Sequence, residues 1–174
     1  PVLFVHGVHS SAGHLDLWRH TSEAAGYSPY CFTYPTRGTL SEIADALADA
    51  TLEIHTEHGA GVTLVGHSLG GVLAATVAVL VAESRPAAVS HVVAVCSPFD
   101  GVSLARAAFL GPSRQLLHAL CNGSPELEDL RSRLEAVRAP TRWASIGLHH
   151  DGVVSEASAH LPHPDAEHVT MSGE

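Results

Sequence analysis

The chain has 174 residues, 45% of them hydrophobic and 5% aromatic, with 18 acidic against 9 basic side chains and a net charge of −9. That length suits one domain with a substantial core and is too short for two ordinary ones. The negative balance argues against nucleic acid or an anionic membrane surface as partner, and no apolar run reaches the roughly 18 residues of a membrane span.

Val2-Leu3-Phe4-Val5 is a continuous apolar run, the mark of a strand covered on both faces. It delivers His6-Gly7-Val8 to the carboxyl end of a sheet, where Gly7 lets the backbone approach a substrate and the Val8 N–H can point into the site. Pro1 opens directly onto this strand, so the chain is expected to be a piece trimmed at its N-terminus, and no cellular address is read from it. A polar loop leads to a helix over 15–25, with Trp18 on its apolar side. Tyr30–Tyr34 reads as the second strand, ended by Pro35. Thr39 and Glu42 form a T-x-x-E capping box. Behind it Leu40, Ile43, Leu47, Ala50 and Ile54 recur at helical spacing, predicting a helix that ends before Gly59.

Val62–Leu73 reads V-T-L-V-G-H-S-L-G-G-V-L. A short β-branched run breaks at Gly66-His67-Ser68-Leu69-Gly70, and an Ala/Val/Leu-rich helix follows at once. This is G-x-S-x-G between a strand and a helix, the context in which the pattern carries chemistry. Swinging a serine off a strand end into a helix needs a sharp turn with an unfavourable backbone conformation at Ser68. Side chains at positions 66 and 70 would collide across that bend. The Ser68 hydroxyl is then exposed beside a helix N-terminus that favours negative charge. The bland reading is a glycine-rich turn that merely joins strand to helix.

Val89–Cys96 is a further strand, followed by Ser97-Pro98-Phe99-Asp100-Gly101. Alternating strands and helices imply an α/β fold, a three-layer, doubly wound, mostly parallel sheet. Three cysteines (Cys31, Cys96, Cys121) cannot all pair, and the first two, in predicted strands, are expected as buried free thiols.

His6-Gly7-Val8, Gly66-His67-Ser68-Leu69-Gly70-Gly71 and Ser97-Pro98-Phe99-Asp100-Gly101 together resemble the α/β-hydrolase superfamily, and within it bacterial lipases and esterases of the triacylglycerol-lipase type. The nucleophile motif is specific, the H-G segment less so, and the last turn is loose. The resemblance implies Ser68 as nucleophile, with the N–H groups of Val8 and Leu69 as oxyanion donors. His6, Gly7 and His67 then line the substrate site, with His67 packing beside the nucleophile and His6 a structural member of the oxyanion loop.

Residues 103–138 break the alternation and read as two or three short helices, with Ser124-Pro125 as an N-cap and first-turn proline. The superfamily places a cap here, so a single domain with core 1–102 and 139–174 and a helical cap at 103–138 is expected. Leu104, Phe109, Leu110, Leu116, Leu117 and Leu120 either line that cap or pack on the sheet. Arg142–Leu148 is the next strand. In the resembling lipases a D-x-V-V segment after it carries the acid, which matches Asp151-Gly152-Val153-Val154. The alternative is that Asp151 merely opens an Asp-Gly turn, and Glu156 is the back-up acid.

The family's histidine lies in the turn after the last strand, here His168–Met171, so the base is expected beyond residue 174. His168 stands too early in that strand, and His160 and His163 fall at the opposite end of the sheet. The leading function is a serine ester hydrolase acting on lipid-like acyl esters. A thioesterase or acyltransferase would use the same triad, and a non-catalytic binding protein on this fold is the other alternative. His149, His150, Asp151, His160 and His163 fit no compact ligand spacing, so neither metal nor cofactor is expected.

Overall fold

The apolar run at Val2–Val5 forms strand β1, and all later strands join the sheet it starts. The computed structural model describes residues 1–8, 10–35, 38–103 and 114–172. The other strands are β2 (Pro29–Phe32), β3 (Val62–His67), β4 (Val89–Val95), β5 (Arg142–Leu148) and β6 (Glu167–Met171). The described helices are α1 (Asp16–Ala24), α2 (Leu40–His58), α3 (Leu69–Ala82), α4 (Arg114–Ala119), α5 (Pro125–Ala136) and α6 (Glu156–Ala159). A 3-10 turn at Ala12–Leu15 precedes α1, so the first helix is shorter than its sequence pattern suggests.

The sheet order is β2-β1-β3-β4-β5-β6, and every neighbouring pair is parallel. The order reverses at β1, which has β2 on one side and β3 on the other. Open α/β sheets bind ligands at such a reversal, outside the carboxyl ends of the strands. Here those ends are Val5-His6-Gly7 and His67-Ser68.

Strand side chains alternate between the two faces. Leu3, Val5, Leu64, Val92, Ala94 and Trp143 are buried on one face, in the same core as Leu47 of α2, Leu73 of α3 and Leu134 of α5. The capping box sets the start of α2: the Thr39 hydroxyl accepts from the Glu42 N–H at 3.2 Å, and a Glu42 oxygen accepts from the Thr39 N–H at 2.8 Å. Gly59 ends it in the left-handed conformation, φ 60°. On the other face Val2, Phe4 and Leu15 are buried, packed by Trp18, Cys31 and Val65. Beyond α1 that face opens into a groove of about 520 Å³, and Val169 and Met171 of β6 stand about half exposed.

Two strands end short of the sequence reading. β2 stops at Phe32, because Tyr34 leaves the sheet to bond the segment after β1. β4 stops at Val95, so Cys96 is a left-handed residue past the strand, φ 47°, although its thiol is buried and free as expected. Of the expected cap leucines, Leu116 and Leu120 are buried in the main core, and Leu117 packs with Val102, Val154 and Ala159. Leu104, Phe109 and Leu110 lie outside the described residues.

Candidate active site

Ser68 joins β3 to α3 with φ 54° and ψ −122°, a left-handed backbone that a serine adopts only under constraint. Its N–H donates to the Val95 carbonyl at 2.8 Å, and its carbonyl accepts from the Gly71 N–H at 3.0 Å. Missing side chains make the bend possible. A Cβ on Gly66 would strike the Gly70 and Gly71 backbone, and one on Gly70 would lie 2.7 Å from the Val5 carbonyl carbon and 2.8 Å from the His6 oxygen. A Cβ on Gly71 would strike the Ser97 side chain. Leu69, fully buried, opens α3, whose N-terminal amides sit next to Ser68.

The segment after β1 meets this elbow directly. A Cβ on Gly7 would come within 3.0 Å of the Ser68 Cβ and 3.3 Å of the His67 Nδ1, so the absence of a side chain there lets the two strand ends come close. His6 is 1% exposed, and its Nδ1 donates to the Gly7 carbonyl at 2.9 Å. Its ring stacks on Tyr34 at a 4.3 Å centroid distance, and the Tyr34 hydroxyl donates to the His6 carbonyl at 2.6 Å. Val8, the expected oxyanion donor, follows and packs half-buried against the main core. His67 meets the edge of Trp18 at 6.4 Å, which gives Trp18 a place beside the elbow as well as in the second core. Burial lowers the His67 pKa, and the Asp151 charge partly opposes that shift.

Asp151 lies past the end of β5. One carboxylate oxygen accepts from the Val153 and Val154 N–H groups at 2.8 and 3.0 Å, closing an Asx turn. The turn that the alternative reading expected is present, and the charge of the same carboxylate acts on His67 and Cys96. The carboxylate also lies against Cys96, whose thiol is pushed up to about 11 by burial first and by Asp151 second. Ser158 of α6 holds the post-β4 turn against this loop. Its buried hydroxyl accepts from the Asp100 N–H at 3.2 Å and donates to the Gly101 carbonyl at 2.8 Å, while its carbonyl accepts from the Phe99 N–H at 2.8 Å. Arg131 ties Asp100 to α5 at 2.8 Å.

Glu156 has partners of its own at the carboxyl ends of β5 and β6. It takes a hydrogen bond from Thr170 at 3.0 Å and lies 3.0 Å from the His149 Nδ1, contacts that lower its pKa. His168 sits against the Ser145 hydroxyl at 2.6 Å and stacks on His160, and His163 stacks on Trp143. All three thus belong to the middle and start of β5, away from its carboxyl end. Of the five residues weighed as metal ligands, His149, His150 and Asp151 follow the end of β5 while His160 and His163 lie toward its start, and among the described residues no three His, Cys, Asp or Glu side chains converge on a metal position. Nor is any described helix long and apolar enough to cross a membrane. Tyr34, Cys96 and Ser158 had no motif to mark them. The Tyr-Pro step at 34–35 was the one local signal, a strand end that brings a phenol to the carboxyl edge.

A family model described as "Alpha/beta hydrolase family" matches residues 2–170. No curated protein matches the sequence. Among solved structures, the mature form of the Bacillus licheniformis lipase BlEst2 superposes with TM-score 0.80 at 19% identity, covering 99% of this chain and 83% of that one. The phospholipase PlaB from Legionella pneumophila, in complex with thio-NAD, superposes with TM-score 0.75 at 20% identity, over 91% of this chain and 43% of its own. The RedJ thioesterase of the prodiginine pathway in Streptomyces coelicolor gives TM-score 0.63 at 20% identity, over 99% and 81%. At these identities the likeness is one of fold.

Proposed function

The chain belongs to the alpha/beta hydrolase family, and from that premise we propose that it is a serine ester hydrolase acting on lipid-like acyl esters. The observation that carries the reading is the junction of Ser68 and Gly7 at the sheet's reversal point, with Asp151 two strands away at the same edge. Ser68 attacks the acyl carbonyl. The backbone N–H groups of Val8 and Leu69 receive the charge that develops on its oxygen. A histidine takes the Ser68 proton and passes it to the leaving alcohol. Asp151 fixes the tautomer of that imidazole and stabilises its charged form. Water then repeats the sequence on the acyl-enzyme. His67 walls the site beside the nucleophile.

Core residues 1–102 and 139–174 carry this machinery. The insertion after β4 is anchored in the main core through Leu116 and Leu120, and the lipid-like substrate class follows the lipase that shares the fold. A thioester would enter the same site, and the fold shared with a thioesterase makes acyl thioesters the second substrate class to assay. In the full-length protein a fluorophosphonate probe labels Ser68, and Ser68→Ala abolishes the labelling. Labelling that survives the substitution overturns the assignment.

A further inference from the structure

We propose that Tyr34 is a positioning residue for the oxyanion site, acting through His6 on the direction of the Val8 N–H. This rests on the ester-hydrolase reading above. A trans peptide is planar, so the N–H of one residue points opposite to the carbonyl of the residue before it. The aim of the Val8 N–H is therefore set wherever the Gly7 carbonyl is held. Two donors hold it: the His6 Nδ1–H at 2.9 Å and the Ser10 N–H at 3.3 Å. Gly7 by itself is free to rotate, and it has no side chain to brace the plane. The imidazole supplies the brace.

The imidazole must in turn be held, and Tyr34 holds it twice. The two rings stack at 4.3 Å with 2° between their planes, and the phenol donates to the His6 carbonyl at 2.6 Å. Both peptide oxygens of the His6-Gly7 step are thus pinned, one by Tyr34 and one by His6. His6 Nε2 is buried with no hydrogen-bond partner among the described residues. An orphaned buried acceptor costs free energy that an apolar ring would not. Its retention here makes sense if the other nitrogen has work to do, and that nitrogen's partner is the Gly7 carbonyl. A histidine bonded in this way braces the backbone and transfers no proton.

The test uses the full-length protein, a short-chain p-nitrophenyl ester and an alkylboronic acid, which forms a tetrahedral adduct on an active serine. Losing one oxyanion donor outright costs about 10²–10³ in kcat. Tyr34→Phe keeps the ring stack and loses only the hydroxyl, so the expected result is a smaller fall of about tenfold in kcat. KM should stay within about twofold, and boronate affinity should weaken by the same factor as kcat. His6→Asn places an amide donor near the Nδ1 position and retains activity within about tenfold of wild type, whereas His6→Leu loses about 100-fold. Unchanged kcat in Tyr34→Phe overturns the proposal, as does an effect confined to KM. Equal losses in His6→Asn and His6→Leu also overturn it, since they would mean that the imidazole serves proton transfer. If Tyr34→Phe does not fold, the two His6 variants decide alone. Wild-type protein inert to both ester and fluorophosphonate would instead defeat the ester-hydrolase reading itself.

Discussion

Around β1 and β3 the strand ends are positioned by the lack of side chains at Gly7, Gly66 and Gly70, the last two with backbone pressed on backbone. Around β4 and β5 they are positioned by side chains: Asp151 bonding two amides, Ser158 bonding the post-β4 turn, Cys96 lying against the carboxylate. Each half holds one left-handed residue that is not glycine, Ser68 on the first and Cys96 on the second. The first half is a steric lock, which fails in the fold when it is broken. The second is a hydrogen-bonded arrangement that can lose chemistry while the fold stands. Substitutions on the two sides should therefore separate stability from turnover.

The largest effect expected is on turnover, from the hydrogen-bonded side. Asp151→Asn should lower kcat of the full-length protein by about 10⁴, the scale for an acid that sets a histidine's tautomer, with little change in melting temperature. Glu156→Gln should change kcat by less than about threefold, because that carboxylate is occupied by Thr170 and His149. A damaging Glu156→Gln beside a mild Asp151→Asn would exchange the two roles.

Next in size is a loss of stability from the steric side. Gly70→Ala places a methyl against the Val5 carbonyl and within 2.8 Å of the His6 oxygen, and neither backbone group can yield without parting β1 from α3. A loss of about 3 kcal/mol or more is expected in urea unfolding, beyond the ordinary overpacking range. A Gly70→Ala protein as stable as wild type would show that this half is more pliant than its contacts imply.

The same division explains what could be read from the sequence. Steric locks leave a local signature, since glycines at fixed offsets around a serine are needed whatever surrounds them. Gly66, Ser68 and Gly70 were legible for that reason, as were the strand-helix alternation and the Thr39–Glu42 cap. Hydrogen-bonded partners come from distant segments and carry no such mark. Ser158 reaches Asp100 and Gly101 across 58 and 57 positions, and Tyr34 reaches His6 across 28. Cys96 looked like strand interior because an apolar run has no residue that signals a left-handed stop. Only the fold brings these groups to the site.

The smallest effect expected concerns Cys96, in the hydrogen-bonded half, and the stability of the fold at alkaline pH. Burial, and then Asp151, raise the thiol from an ordinary 9.0 to about 11. Between those values the folded chain keeps a proton that the unfolded chain has released. Stability is therefore fully present below pH 9 and is lost as pH rises through the folded value, by about 1–2 kcal/mol. Urea unfolding at pH 8 and pH 10.5 should register the drop in wild type and a smaller one in Cys96→Ala. The buried phenol of Tyr34 is also shifted upward, but it contributes equally to both proteins and cancels in the comparison. Asp151→Asn removes one of the two causes, so its drop should fall between the others. A difference between wild type and Cys96→Ala that stays flat with pH would mean that folding does not raise the thiol pKa. Gly70→Ala, a purely steric change, should cost the same at both pH values.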